Sequence, residues 1–273
     1  HIEGARTAQC YRHGIGPGLD GLFAQSGGGI VTAAGFPLMA QPEAHASFIA
    51  RIEREEQLVP LLDRLVSLRR EGVLQSVTHV GNRARTVITL GPLIEEQMSA
   101  LRLGSPETRR ALAISWMTAG GFGPWSAVGG VMGTAAGVRA ARRDVARTLQ
   151  GTANLVWLTD ARVAAARRLL GALAFLPPVR RQWVLLKASE PLYRLTRGIP
   201  TDAPIRSVYW PLGESPADSE LNPDQSRCGI LYALPILPAD GTAVRAAIDA
   251  TDAICRRRGF EQSQAGVRTA GRA

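Results

Sequence analysis

With 273 residues, 45% of them hydrophobic and 20% charged, the chain can fill one large or two small globular domains and is neither disordered nor collagenous. Its net charge of +9 would suit a nucleic-acid partner, but Lys187 is the only lysine among 32 basic residues. The arginines are spread out and mixed with acids, as in Arg51-Ile52-Glu53-Arg54-Glu55-Glu56, so RNA or DNA binding is not the expected function.

Cys10, Cys228 and Cys255 are too few and too scattered for a disulfide framework. Cys10 and His13 have ligand-like spacing, but no second pair completes a zinc site, so no metal is expected. Free thiols predict a reducing, cytoplasmic setting. The opening His1-Ile2-Glu3-Gly4 lacks both a methionine and a signal peptide, which reads as a processed chain or a fragment.

In chain order, residues 17–26 predict a short helix entered through a glycine turn, and 30–39 a strand. Gln41-Pro42-Glu43 predicts a linker, which places a domain boundary after residue 42. Residues 47–52 alternate like a strand. Leu58, Leu61, Leu62, Leu65 and Leu68 then fall on one face of an amphipathic helix over 55–70. Residues 76–90 read as extended chain with a turn at Gly81-Asn82, followed by helices near 93–103 and 106–118. The uncharged stretch 111–138 is long enough to span a bilayer. Gly120, Gly121, Gly123, Pro124 and further glycines interrupt it, so it reads as helix end, loop and buried strand, with no membrane partner. Thr134 predicts a helix cap, with Val138, Ala141, Val145 and Leu149 inward. Residues 154–158 predict a returning strand, and 160–200 helices broken at Pro177-Pro178. Residues 229–237 predict a strand, and Asp240 caps a helix with Val244, Ala247, Ile248 and Ile254 inward. Residues 262–273 lose the apolar period and read as a ragged tail. The strand–helix–strand units predict an α+β fold, an antiparallel sheet covered on one side by helices.

Gly16-Pro17-Gly18-Leu19-Asp20-Gly21 matches G-x-G-x-x-G literally, but no buried strand precedes it and a proline sits in its turn. It is not a dinucleotide-binding fingerprint. The longer run through Leu22-Phe23-Ala24-Gln25-Ser26, Gly29-Ile30-Val31-Thr32, Gly35 and Leu38-Met39 resembles the segment that closes the FAD domain of the vanillyl-alcohol oxidase / 4-cresol dehydrogenase flavoproteins. Looser similarities follow in order: Ser76-Val77-Thr78-His79-Val80-Gly81-Asn82, Trp125 with Gly129-Gly130-Val131-Met132-Gly133-Thr134, Gly198-Ile199-Pro200, and 228–238 with Gly241.

The resemblance implies that residues 1–42 end an FAD-binding domain and 43–261 form a substrate-capping domain. It implies FAD as cofactor, contacted through the backbone near Ser26, Gly29, Ile30 and Val31. A small, para-substituted phenolic substrate would transfer hydride to the flavin, in a pocket near His79, Tyr209 and Tyr232. Catalytic residues are not assignable, because those the family uses would mostly lie outside this chain. The pyrophosphate loop of the family has no counterpart, so a second chain could supply it. A cytochrome acceptor or homo-oligomer fits the same family. The other readings are a cap-fold binding module without flavin and an arginine-rich nucleic-acid binder.

Overall fold

The computed structural model describes residues 20–23, 27–33, 40–119, 122–213, 222, 225, 235–259 and 266–268. The chain divides into two compact units, His1–Pro42 and Glu43–Ala273. In the first, Asp20–Phe23 form a short 3-10 turn and 27–33 are irregular and exposed. The strand expected over 30–39 is therefore not seen in its described part, and 34–39 lie outside the described residues.

The second unit is built on a five-stranded sheet of order β4-β1-β3-β2-β5, in which every pairing is antiparallel. Its strands are β1 (Ala44–Arg51), β2 (His79–Asn82), β3 (Trp125–Gly133), β4 (Asn154–Leu158) and β5 (Gly266–Arg268). Strand alternation sends Ala46, Phe48 and Ala50 to one face, where each is at most 1% exposed. Three helices cover that face: α1 (Leu58–Arg70), α4 (Ala135–Leu149) and α8 (Gly241–Arg257). The five leucines of α1 all reach this core, each contributing about 1.5–3 kcal/mol by burial. Thr134 and Asp240 cap α4 and α8 through side-chain acceptance from Gly137 N and Ala243 N. Val244 and Ile248 of α8 face the core, whereas Ile254 is 51% exposed and outside it. Phe48 packs edge-on against Trp157 with ring centroids 5.5 Å apart.

A second cluster joins α2 (Arg83–Ala100), α3 (Pro106–Ala119) and α6 (Pro177–Leu195) through Leu90, Leu93, Ile94, Met98, Ala113, Met117, Val184 and Ala188. α5 (Asp160–Ala172) leans on α6, and the short α7 (Arg206–Tyr209) on α2. Among the described residues no helix is long and apolar enough to cross a membrane.

Three further expectations change. Residues 83–90 are not extended: Asn82 ends β2 and N-caps α2, its side chain accepting from Arg85 N at 2.9 Å. Residues 266–268 of the expected tail pair with 79–81 as the edge strand β5. Residues 235–238 are irregular, where the end of a strand was expected; 229–234 lie outside the described residues.

Candidate functional site

The face of the sheet opposite α1, α4 and α8 carries the alternate residues of each strand: His45, Ser47, Ile49 and Arg51 on β1, and Ser126, Val128, Gly130 and Met132 on β3. The registers align these into rows. Ile49 sits between Val156 and Val128, with His79 beyond Val128. One row along, Arg51 lies between Asn154 and Ser126; one row the other way, Ser47 lies between Leu158 and Gly130. An apolar strip of Ile49, Val128 and Val156 is thus flanked on one side by the polar row of Arg51, Asn154 and Ser126 and on the other by the buried Ser47.

Glycines let this surface form. At Gly129 an added Cβ would lie 2.7 Å from the Phe48 ring, which excludes a side chain on the core face, and at Gly130 3.0 Å from His45 Nε2, so a side chain there would require the imidazole to shift. Ser76 clamps the same strand, its hydroxyl donating to Gly130 O at 2.8 Å and accepting from Gly130 N at 3.0 Å.

One end of the face is closed by the α6 terminus. Ser47 Oγ lies 2.6 Å from Thr196 Oγ1, and Thr196 Oγ1 donates to Tyr193 O at 2.6 Å; with its proton so committed, Thr196 accepts from Ser47. Tyr193 Oη donates to Asp160 Oδ1 at 2.7 Å, and Arg197 meets the same oxygen at 2.9 Å. Burial and the Asp160 carboxylate raise the Tyr193 phenol above its ordinary range. Beside this network His45 has neither ring nitrogen in a hydrogen bond among the described residues. Burial, then the Arg197 charge, lowers its pKa from 6.5, offset in part by Asp160 and the Thr196 backbone, which favours the neutral imidazole.

Of the residues singled out from sequence, His79 stands exposed on this face opposite Val128. Tyr209 is 1% exposed, within α7 against α2. Its neighbour Trp210 is fixed by donation from Nε1 to Glu95 Oε1 at 2.7 Å and by Arg110 stacked 4.4 Å from its ring. Gly29, Ile30 and Val31 are exposed, the latter two by 92% and 59%. Ser26, Tyr232, Cys10 and His13 lie outside the described residues. The described residues contain no group of acids, histidines and cysteines able to hold a metal. Sequence reasoning missed His45, Ser47 and Arg51, although their alternation with Ala46, Phe48 and Ala50 was the available signal.

No protein-family model matches the chain. It is 30% identical over 253 residues to a 1'-carboxy-chondrochloren decarboxylase from Chondromyces crocatus, covering 90% of this chain and 44% of that protein. It is 40% identical over 68 residues to the 4-cresol dehydrogenase [hydroxylating] flavoprotein subunit of Pseudomonas putida, covering 25% of this chain and 13% of that one. A crystal structure of p-cresol methylhydroxylase with substrate bound superposes at a TM-score of 0.51 and 21% identity, covering 76% of this chain and 36% of that chain. The 4-ethylphenol oxidase of Gulosibacter chungangensis, in an isoeugenol complex, superposes at 0.52 and 22% identity, again over 76% and 36%.

By fold, this chain resembles the vanillyl-alcohol oxidase / 4-cresol dehydrogenase flavoproteins. The antiparallel sheet and its helices are the cap-domain architecture of these vanillyl-alcohol-oxidase-type flavoproteins. The chain spans less than half the length of the curated relatives it matches.

Proposed function

We propose that the chain is part of an FAD-dependent oxidoreductase that oxidises a small, para-substituted phenolic substrate by hydride transfer to flavin. The observation that carries this reading is the 40% identity over 68 residues to a flavoprotein subunit that acts on 4-cresol by name. In this reading residues 1–42 end the FAD-binding domain and 43–261 form the cap over the substrate.

Residues 27–33 are an exposed, irregular segment, and a Cβ at Gly27 would meet nothing within 4 Å. A flat cofactor edge can lie against such a backbone. Ser26, Gly29, Ile30 and Val31 would hold FAD through backbone groups, and the bound flavin would supply the hydride acceptor. The pyrophosphate loop would come from elsewhere in the polypeptide or from a second chain. The cap sheet would bed the substrate ring on Ile49, Val128 and Val156 and exclude water, with His79 at the rim.

The 253-residue similarity to a decarboxylase favours a second reading, in which the substrate also carries a carboxylate that leaves as CO2. Arg51, one row from Ile49 on the same face, would face that anion.

A visible spectrum of the purified chain, taken after adding FAD and removing the excess, tests the cofactor. A retained flavin band is expected, and flavin bleaching by 4-ethylphenol under anaerobic conditions would then establish oxidation. Release of CO2 from a carboxylated phenol would select the second reading. Flavin lost completely on desalting would leave a cap-fold binding module.

A further inference from the structure

The turn of the α5–α6 hairpin, at the end opposite Asp160 and Tyr193, plays no part in the candidate site. α5 has no buried residue at all. Where it turns into α6, Leu169, Leu173, Phe175 and Leu176 are 63%, 36%, 68% and 39% exposed. This turn is held in shape. Arg180 donates to Ala174 O at 3.2 Å and to Phe175 O at 2.9 Å, and Leu176 N donates to Leu173 O at 3.0 Å.

The same hairpin holds most of the chain's charge imbalance. Residues 160–197 contain eight basic side chains and two acids, six of the nine net positive charges. Both acids, Asp160 and Glu190, sit toward the end away from the turn. The tip-proximal stretch 161–186 contains Arg162, Arg167, Arg168, Arg180 and Arg181 and no acid. An apolar point with Arg168 and Arg180 beside it combines two driving forces: burial of leucine and phenylalanine, and attraction to a dense negative surface.

We propose that this hairpin tip docks onto an anionic lipid bilayer. Leu169, Leu173, Phe175 and Leu176 enter the boundary between headgroups and acyl chains, and the arginines meet lipid phosphates, their stems lying along the apolar surface. A second copy of the chain fits this face poorly, because two such tips would bring like-charged arginines, Arg168 and Arg180, against each other with no acid in 161–186 to offset them. A polynucleotide would engage the arginines but leave the leucines and phenylalanine in water. The sequence-based expectation of no membrane partner concerned a spanning segment; docking of a surface hairpin is a different attachment.

The test is co-sedimentation of the chain with vesicles of phosphatidylcholine alone and of equal parts phosphatidylcholine and phosphatidylglycerol. Binding to the mixed vesicles only is expected, weakening as salt rises from about 0.05 M to about 0.5 M. The double variant Leu169→Ser, Phe175→Ser should bind at least about tenfold more weakly, and Arg168→Glu should lose about fivefold per unit of charge. All three side chains face solvent, so circular dichroism of each variant should match the parent. Equal binding to neutral vesicles, no binding to either, or full retention by the double variant would overturn the proposal. So would a dimer that the double variant dissolves, which would assign the patch to a second copy.

Discussion

Gly91 lies on α2 directly beneath the indole of Trp210. A methyl group there would sit 2.5 Å from Cζ2, 2.7 Å from Cη2 and 2.8 Å from Cε2, about 1 Å inside the ordinary carbon–carbon contact distance. The ring has little room to withdraw. Its Nε1 is bonded to Glu95 at 2.7 Å, Arg110 is stacked 4.4 Å from the ring, and Trp210 is 3% exposed. Gly91→Ala therefore sets two effects against each other. Alanine gains about 1 kcal/mol of helix propensity, while overpacking a filled site costs about 1–3 kcal/mol and a strained indole–carboxylate bond about 1 kcal/mol more. The net expectation is a loss of about 1–3 kcal/mol. In urea, with a slope of about 2 kcal/mol per molar, the midpoint should fall by about 0.5–1.5 M. Circular dichroism follows the transition without depending on the indole itself. In a Trp210→Ala background the same Gly91→Ala change should become neutral or stabilising, because the obstruction is gone. A midpoint that rises on Gly91→Ala in the parent protein would refute the reasoning.

Two further predictions concern stability. His45 has a folded pKa below 6.5, so the unfolded chain binds the proton more readily. The associated stability is present above about pH 6.5 and is lost as pH falls toward the folded value. Urea midpoints should drop between about pH 7 and pH 5 in the parent, and His45→Leu should flatten that slope; an unchanged slope would count against the assignment. Asp240 Oδ1 accepts from Ala243 N at 2.8 Å at the start of α8, so Asp240→Ala should cost about 1 kcal/mol and Asp240→Asn much less. Thermal melts of the two variants would check this.

The parts of the fold that were legible in the sequence are those whose signal is local. The leucine face of α1, the Thr134 and Asp240 caps and the break at Pro177-Pro178 each lie within a few residues of what they specify. α2 was misread because Thr86-Val87-Ile88-Thr89 is β-branched and imitates a strand. Burial of Ile88, Leu93, Ile94 and Met98 and the Asn82 cap outweigh that local preference. The three residues of β5 show no periodicity and take their strand character from β2, far away in sequence. The candidate site divides the same way. Alternation on β1 could have marked His45, Ser47 and Arg51 as a set. The closure of that face by Thr196 depends on a contact spanning 149 residues and has no local trace.

The position of β1 bears on how the chain is made. β1 is the first strand of its unit to be synthesised, yet both its neighbours, β3 and β4, come much later, and its pairing is incomplete until residue 158 has emerged. Until β3 emerges, Phe48, Ala50 and the leucine face of α1 have no sheet to cover them. A ribosome-bound chain therefore carries an exposed apolar strand and helix through about 75 residues of elongation, a period in which folding helpers have something to hold.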